Sequence, residues 1–348
     1  MSYRSIAHSV ECMRLSIYNS QLQLVDVIGE SFISCLWSEG YNTVEKFTLE
    51  VADIATHRAA IVPDCFVGRN DRNALMVVKT VVCEGGKITA TGKPATALLE
   101  DLAFIGKIEA DSTVANSLRT AYNESIGNAL LTIEESTLTE TYPSQISNKS
   151  VLELYETMCG EADIGFRAVK VIQDSIVSGI AIQLYKPIQN LNLKFSERIG
   201  NIQNASLTRS TQTYKNYAIV LGQGEDTNRV RVDVDLSNDG EKRQLIVDAR
   251  EIQQGANEDS ASYTSRLYAK GLEKLLTRNR VWECAFEPMA SEFGTRFDLG
   301  DIVTASLPEF GVIIQARIAR FTQKFQAQAT KTTLEVGEIM SIRSIYGN

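Results

Sequence analysis

Asp298-Leu299-Gly300-Asp301 sets two carboxylates three residues apart around a glycine, and the apolar pair Ile302-Val303 follows at once. Such carboxylates could ligate a cation, work as acid and base, or fasten a turn. A calcium loop draws about six to eight oxygen ligands from a patterned run, and only two acids are close here. Gly300 permits a left-handed backbone, and aspartates bond local backbone donors. The stretch is therefore expected to turn the chain into a strand that bends through "LPEFG" and continues with Val312, Ile314, Ala316 and Ile318 on one side.

Other candidates for chemistry are sparse. The two histidines, His8 and His57, lie in no H-E-x-x-H and beside no nucleophile motif. "NESIGN" offers Ser125 and Gly127, but Asn123 stands where G-x-S-x-G needs glycine. "GQGEDT" begins like G-x-G-x-x-G, yet Thr227 replaces the third glycine and a strand follows, so no helix N-terminus would meet a phosphate. Gly86-Lys87 lacks the upstream glycine of a phosphate loop, and Glu134-Glu135 would point to opposite faces of a strand. Cys12, Cys35, Cys65, Cys83, Cys159 and Cys284 form no C-x-x-C and read as small buried hydrophobes. No residue is assigned a catalytic, cofactor-binding or metal-binding role, and a non-enzymatic protein without a cofactor is expected.

Composition sets the class. The chain has 348 residues, 44% hydrophobic and 22% charged, enough for several domains of ordinary soluble character. Its net charge of -8, without a dense Lys/Arg block, argues against phosphate-backbone binding as the main activity. No run approaches the ~18 apolar residues of a membrane span, and "MSYRSIAHSVECMRLSIYNS" lacks the apolar centre of a signal peptide, so synthesis in a cytosol without a membrane anchor is expected.

The elements that must position these residues are mostly strands. "MRLSIYN", "LQLVDVI", "SFISCLW", "KFTLEV", "ALMVVKTVV" and "GKITATG" are short β-rich runs, the last two split by Gly85-Gly86, which suits a tight hairpin. Pro94 is expected to open a helix, "PATALLEDLAF". In "SVLELYETMCG", Ser150 and Glu153 have capping-box spacing, Val151, Leu154, Tyr155 and Met158 share a face, and Gly160 would end the helix. "GIAIQLY" and "NLNLKF" read as strands, the second wet on one side. "YAIVLGQGEDTNRVRVDVDL" reads as a hairpin with Val230, Val232, Val234 and Leu236 facing one way and Arg231, Asp233 and Asp235 the other. "NEDSASYTSRLYAKGLEKLLTRNR" is the clearest helix, with acids first, Lys270, Lys274 and Arg278 last, and a stripe of Tyr263, Leu267, Leu272, Leu275 and Leu276. "VWECAFE", "DIVTASL", "GVIIQARIARF" and "TTLEVGEI" complete the strands.

Three segments, "GGKITATGKPATALLEDLAF", "RIGNIQNASLTRSTQTYKNYAIVLGQGEDTNRVRV" and "FDLGDIVTASLPEFGVIIQARI", together resemble the tail-tip and baseplate hub proteins of long-tailed bacteriophages, including the N-terminal region of tail-associated lysins. The middle one is the most specific, with Tyr214, Lys215, Asn216, Tyr217, Gly222, Gly224, Glu225 and Arg229. The resemblance implies a β-rich α+β fold with two tail-tube-like antiparallel β-barrel or sandwich domains and smaller mixed α/β peripheral domains. It implies residues 1–93 as the first tube-like domain, 94–187 as the peripheral part, and 188–348 as the second tube-like domain with a helical insert near 246–285. It also implies a structural homotrimer in the virion, assembled in the host cytoplasm, adapting a six-fold tube to a three-fold tip. Expected partners are a distal tail protein or tail tube ring, a tail fibre or spike, and the tape measure protein, with DNA only as passing cargo. Acidic charge would suit a DNA channel, and it equally serves solubility. The candidate lumen or subunit-seam face is Arg229, Arg231, Asp233 and Asp235; alternation alone fits a solvent-facing strand edge as well. Alternatives are a peptidoglycan-degrading tail-associated enzyme and a β-barrel carbohydrate-binding adhesin. Lysin-bearing relatives continue into an enzymatic extension, whereas this sequence ends at Asn348 soon after its final strands, which argues against the enzyme. The adhesin would expose aromatics in a groove, whereas Trp37 and Trp282 fall in expected core strands.

Overall fold

A computed structural model describes residues 13–29, 31–225, 228–238, 240–255, 258–288, 293–326 and 329–344. His8, Cys12 and Thr227, and the side chain of Trp282, lie outside the described residues. The chain forms two compact units, one of residues 1–205 with 285–348 and one of residues 206–284.

In the first unit the N-terminal strands are β1 (Leu15–Tyr18), β2 (Leu24–Gly29), β3 (Phe32–Gly40), β4 (Phe47–Ala52), β5 (Phe66–Arg69), β6 (Leu75–Glu84) and β7 (Lys87–Pro94), all expected except β5, with a short helix α1 (Ala55–Ala60) after β4. Alternation drives them together: Leu15, Ile17, Cys35, Trp37, Phe47, Leu49, Val51, Met76, Val78, Ile88 and Ala90 form one dry cluster. Glu84 pairs with Lys87 across Gly85 and Gly86, both at positive φ (59° and 76°), as a two-residue hairpin of the right twist requires.

The helix expected after Pro94 shrinks to one 3-10 turn, Ala95–Leu99, because the following residues enter a strand, β8 (Ala103–Ile108). Next come β9 (Ser112–Thr113), α2 (Val114–Glu124), β10 (Leu131–Ile133), β11 (Thr141–Tyr142), β12 (Ile146–Ser150) and α3 (Val151–Glu161), then the hairpin β13 (Gly165–Gln173) and β14 (Ile176–Tyr185). Ser150 and Glu153 make the reciprocal capping box at α3, and Val151, Leu154, Tyr155 and Met158 are all fully buried. Gly160 does not end α3: the helix runs on to Glu161, and Asp163 takes the left-handed conformation (φ 54°) that was expected of the glycine.

The remaining strands are β15 (Gln189–Ser196), β16 (Ile202–Ser210), β17 (Tyr217–Leu221), β18 (Arg231–Asp235), β19 (Gln244–Asp248), β20 (Val281–Pro288), β21 (Ile302–Leu307), β22 (Val312–Gln326) and β23 (Ala329–Ser344). A 13-stranded sheet has the order β16-β20-β23-β22-β3-β4-β7-β6-β5-β1-β2, and β21 joins β22 to β15. The protein is thus a β-rich α+β fold dominated by one large, mainly antiparallel sheet. The long β22–β23 hairpin carries irregularities between Gln315 and Arg320, which shift its inward residues from Val312, Ile314, Ala316 and Ile318 to Phe321, Gln323 and Phe325. Past that bulge β22 pairs with β3, so N-terminal and C-terminal strands share one ladder.

The second unit is a three-stranded sheet, β18-β17-β19, with a helix α4 (Ser260–Leu276) on one face. Asp259 caps α4 by accepting from the Ser262 amide (2.6 Å). Ala218, Val220, Val234, Val247, Tyr263, Leu267 and Leu275 form its core. Leu276, expected on the stripe, is 57% exposed because it lies one residue, about 100° of helical rotation, beyond Leu275.

Candidate functional site

The Asp298–Asp301 stretch is a turn whose carboxylates bond backbone. Asp301, 5% exposed, accepts from the amides of Ile188 (2.8 Å) and Asp298 (2.9 Å), so one side chain fixes both the turn and the entry to β15. The Gly300 amide donates to the Ile318 carbonyl and the Ile318 amide to the Asp301 carbonyl, both at 2.8 Å, which registers β21 against β22. Gly300 has φ 87°, and a Cβ there would overlap the Tyr41 ring and approach Pro187 Cγ to 2.8 Å. Burial pushes the Asp301 carboxyl up, against the lowering by its two amide donors. Asp298 accepts from Arg167 Nη1 (2.6 Å), and that guanidinium lies 4.5 Å over the Tyr185 ring. Among the described residues no group of three His, Cys, Asp or Glu is placed to hold a metal.

Arg231, Asp233 and Asp235 share the sheet face of the second unit opposite α4, as alternation predicts: Val234 is fully buried while its neighbours are exposed. Tyr217, Ile219 and Leu221 of β17 pair with Asp235, Asp233 and Arg231 on one side and with Gln244, Ile246 and Asp248 of β19 on the other. The face is a ladder of paired charges. Arg231 donates to both Asp233 oxygens (2.7 and 2.9 Å), Tyr217 Oη adds 2.7 Å to the same carboxylate, and Lys242 holds Asp235 at 2.7 Å. Arg229 lies just before β18 with its side chain only 13% exposed. It donates to the carbonyls of Leu221 and Gly222 and to Asp248 (2.6 Å), which Arg250 also holds. It therefore clamps the end of β17 to the end of β19, while the other three face outward.

These partners keep the carboxylates ionised. Arg231 holds Asp233 below the usual carboxylate range, Lys242 and then Ser237 hold Asp235 down to about 2, and Arg250 with Arg229 holds Asp248 well below it. A general acid or base works best with a pKa near the operating pH, so this face is suited to electrostatic contact. Ile246, 70% exposed, and the partly buried Ile219 beside it give the face an apolar middle.

His57 is 7% exposed, with its Nδ1 3.1 Å from the Ala52 carbonyl and its Nε2 3.8 Å from Asp26, a packing role. Cys35, Cys65, Cys159 and Cys284 are buried as expected, and burial pushes the Cys35 and Cys284 thiols up to about 12. Cys83 departs from that expectation: it is exposed in the outer half of β6, beyond the part of the strand that the core covers. No helix among the described residues is long and apolar enough to cross a membrane.

Residues 126–338 match the family model described as Siphovirus ReqiPepy6 Gp37-like protein. No curated protein sequence matches the chain. Among solved structures, a tail protein from Neisseria meningitidis MC58 superposes with TM-score 0.56 at 9% identity over 94% of this chain and 96% of that one. The 43 kDa tail protein of prophage MuSo2 from Shewanella oneidensis gives 0.57 at 12% identity over 93% and 97%. At such identities the likeness is one of fold, and it runs nearly end to end. With the matched segment spanning more than half of its length, the chain belongs to the Siphovirus ReqiPepy6 Gp37-like protein family.

Proposed function

We propose that the protein is a structural hub at the distal end of a phage-type tail, a homotrimeric ring that adapts a six-fold tube to a three-fold tip and surrounds the path of the DNA. The observation that carries this reading is the nearly full-length likeness to two tail proteins in a member of a siphovirus family. In this reading, residues 1–93 and 188–348 supply two tube-like barrels per copy, with 94–187 peripheral, so that three copies present six. A distal tail or tube ring binds one side, and a fibre or spike and the tape measure protein bind the other. The ring assembles in the host cytoplasm and ends in the virion. Arg231, Asp233 and Asp235, with Arg229 behind them, face the lumen or the seam between copies, where an acidic chain keeps phosphates off the wall.

The free end of the large sheet supports the ring. β2 pairs only with β1 among the described residues and exposes Leu24 (57%), Val25 (47%) and Val27 (52%). An apolar, open strand edge is an aggregation hazard in a monomer, and a head-to-tail contact that closes at three copies covers it. Imaging purified particles with this subunit labelled tests the proposal. Label at the tail tip in three-fold arrangement is expected; label along the tail shaft or on the head overturns it.

A further inference from the structure

Within the first unit a polar cleft of about 540 Å³ lies beside the Asp298 turn, lined by Glu39, Asp71, Arg72, Arg167, Gln183 and Asp298 among others. That volume falls in the range of about 300–1,000 Å³ usual for ligand sites. Most of its charges are already paired. Arg167 donates to Asp298 (2.6 Å) and to Gln183 Oε1 (3.0 Å), and Asp71 is held bidentately by Arg69 (2.9 and 2.6 Å).

Arg72 and Glu39 are the exceptions. The Arg72 guanidinium rests 4.4 Å from the Phe293 ring centre and 4.5 Å from that of Phe321, two rings stacked on each other at 4.0 Å. It makes no hydrogen bond and no ion pair with the protein among the described residues. Ring contacts hold the flat face of a guanidinium but leave its fork of N–H donors unfilled. Partial burial pushes Arg72 down from the usual arginine range, so surrounding charges do not repay its desolvation. Arg69, 2% exposed, lies over the Trp37 and Phe325 rings, and its Nη1 has no hydrogen-bond partner among the described residues. Glu39 lines the same cleft, and among the described residues its Oε1 accepts only from Trp37 Nε1 (2.8 Å).

We propose that this cleft binds a segment of a partner polypeptide bearing a carboxylate, taken bidentately by the Arg72 fork, with a neighbouring donor of the segment reaching Glu39. Planar two-point pairing is the geometry in which arginine recognises carboxylates. Phosphate is disfavoured, since three carboxylates line the cleft against two guanidiniums and the whole chain carries a net charge of -8. A segment with both signs satisfies Arg72 and Glu39 together. The site goes beyond the hub reading and stands whether or not three copies form a ring.

Fluorescence anisotropy with the full chain tests it, using a labelled peptide of alternating glutamate and lysine, its glutamine-lysine counterpart, and a labelled single-stranded oligodeoxynucleotide. Saturable binding of the first is expected, about tenfold or more weaker for the second and for Arg72→Gln, in line with the loss of a charge-assisted pair. Arg72→Lys keeps the cation over the rings without the fork, so weakened binding at wild-type melting temperature separates the site from the fold. Glu39→Gln is expected to weaken the mixed-charge peptide as well. Equal affinity for the glutamine peptide, preference for the oligonucleotide, unchanged binding in Arg72→Gln, or no saturable binding of any probe would each overturn the proposal.

Discussion

Removing the Asp301 carboxylate is the sharpest test of how the first unit is held together. Two backbone amides, of Ile188 and Asp298, donate to it, and the residue is 5% exposed. A hydrogen bond to a charged acceptor contributes about 1.5–3 kcal/mol, and Asp301→Ala leaves both donors unmatched, a gross loss of about 3–6 kcal/mol. Burial opposes part of this, since it penalises the same charge and raises its pKa. A net loss of about 2–4 kcal/mol follows, which at about 2–3 °C per kcal/mol lowers the melting temperature by about 4–12 °C. Asp301→Asn keeps one acceptor and turns an amide donor toward the second N–H, so its loss should fall between wild type and alanine. Thermal and urea melts of the full chain measure both, with an unchanged urea slope marking a true stability change. An alanine variant within about 1 °C of wild type, or an asparagine variant equal to wild type, would refute the reasoning.

Three further outcomes are expected. Gly271→Ala would bring a Cβ to 2.5 Å from Val220 Cγ2 and 2.7 Å from Val234 Cγ2, so α4 must lift from its sheet at a cost of about 1–3 kcal/mol; amide exchange in residues 206–284 should rise, and an unchanged exchange pattern would contradict the packing. The depressed carboxylates of the second unit contribute stability that is complete above their unfolded values near ~4 and is lost as pH falls through the folded ones. Because Asp233, Asp235 and Asp248 are exposed, each effect is small; melts should soften only below about pH 4, less steeply in Asp248→Asn, and softening from pH 6 would show other groups in control. Val27→Lys on the open edge of β2 should leave folding intact and weaken self-association by about tenfold or more, read by sedimentation; association equal to wild type would remove that edge from the seam.

What the sequence disclosed was local. Alternation revealed β1 to β4, β6 and β7 but not the four-residue β5, which is buried throughout; the Gly85-Gly86 hairpin needs positive φ at both residues, and the Ser150/Glu153 box and the charge gradient of α4 announce their own termini. The Arg231, Asp233 and Asp235 face followed from period-two alternation, whereas the inward turn of Arg229 could not, since it depends on carbonyls freed where β17 ends. Helix α2 went unread because Thr113 makes no side-chain cap and its first turn holds no acid. Strand β13, in which partly buried Arg167 and Lys170 interrupt the apolar run, went unread as well. The pairing of β22 with β3, nearly 300 residues apart, and the parallel pairs β15–β21 and β17–β19 have no local signature. The Arg72 cleft was invisible for the same reason: Arg72, Glu39 and Phe293 meet only once those distant strands are in register.

The central claim, a three-copy hub, is tested most directly by the mass of the purified protein in solution across a concentration series, alone and with its tail neighbours. The account predicts a species of three times the 38.5 kDa chain mass. A species that stays at the mass of one chain under all of these conditions would contradict it.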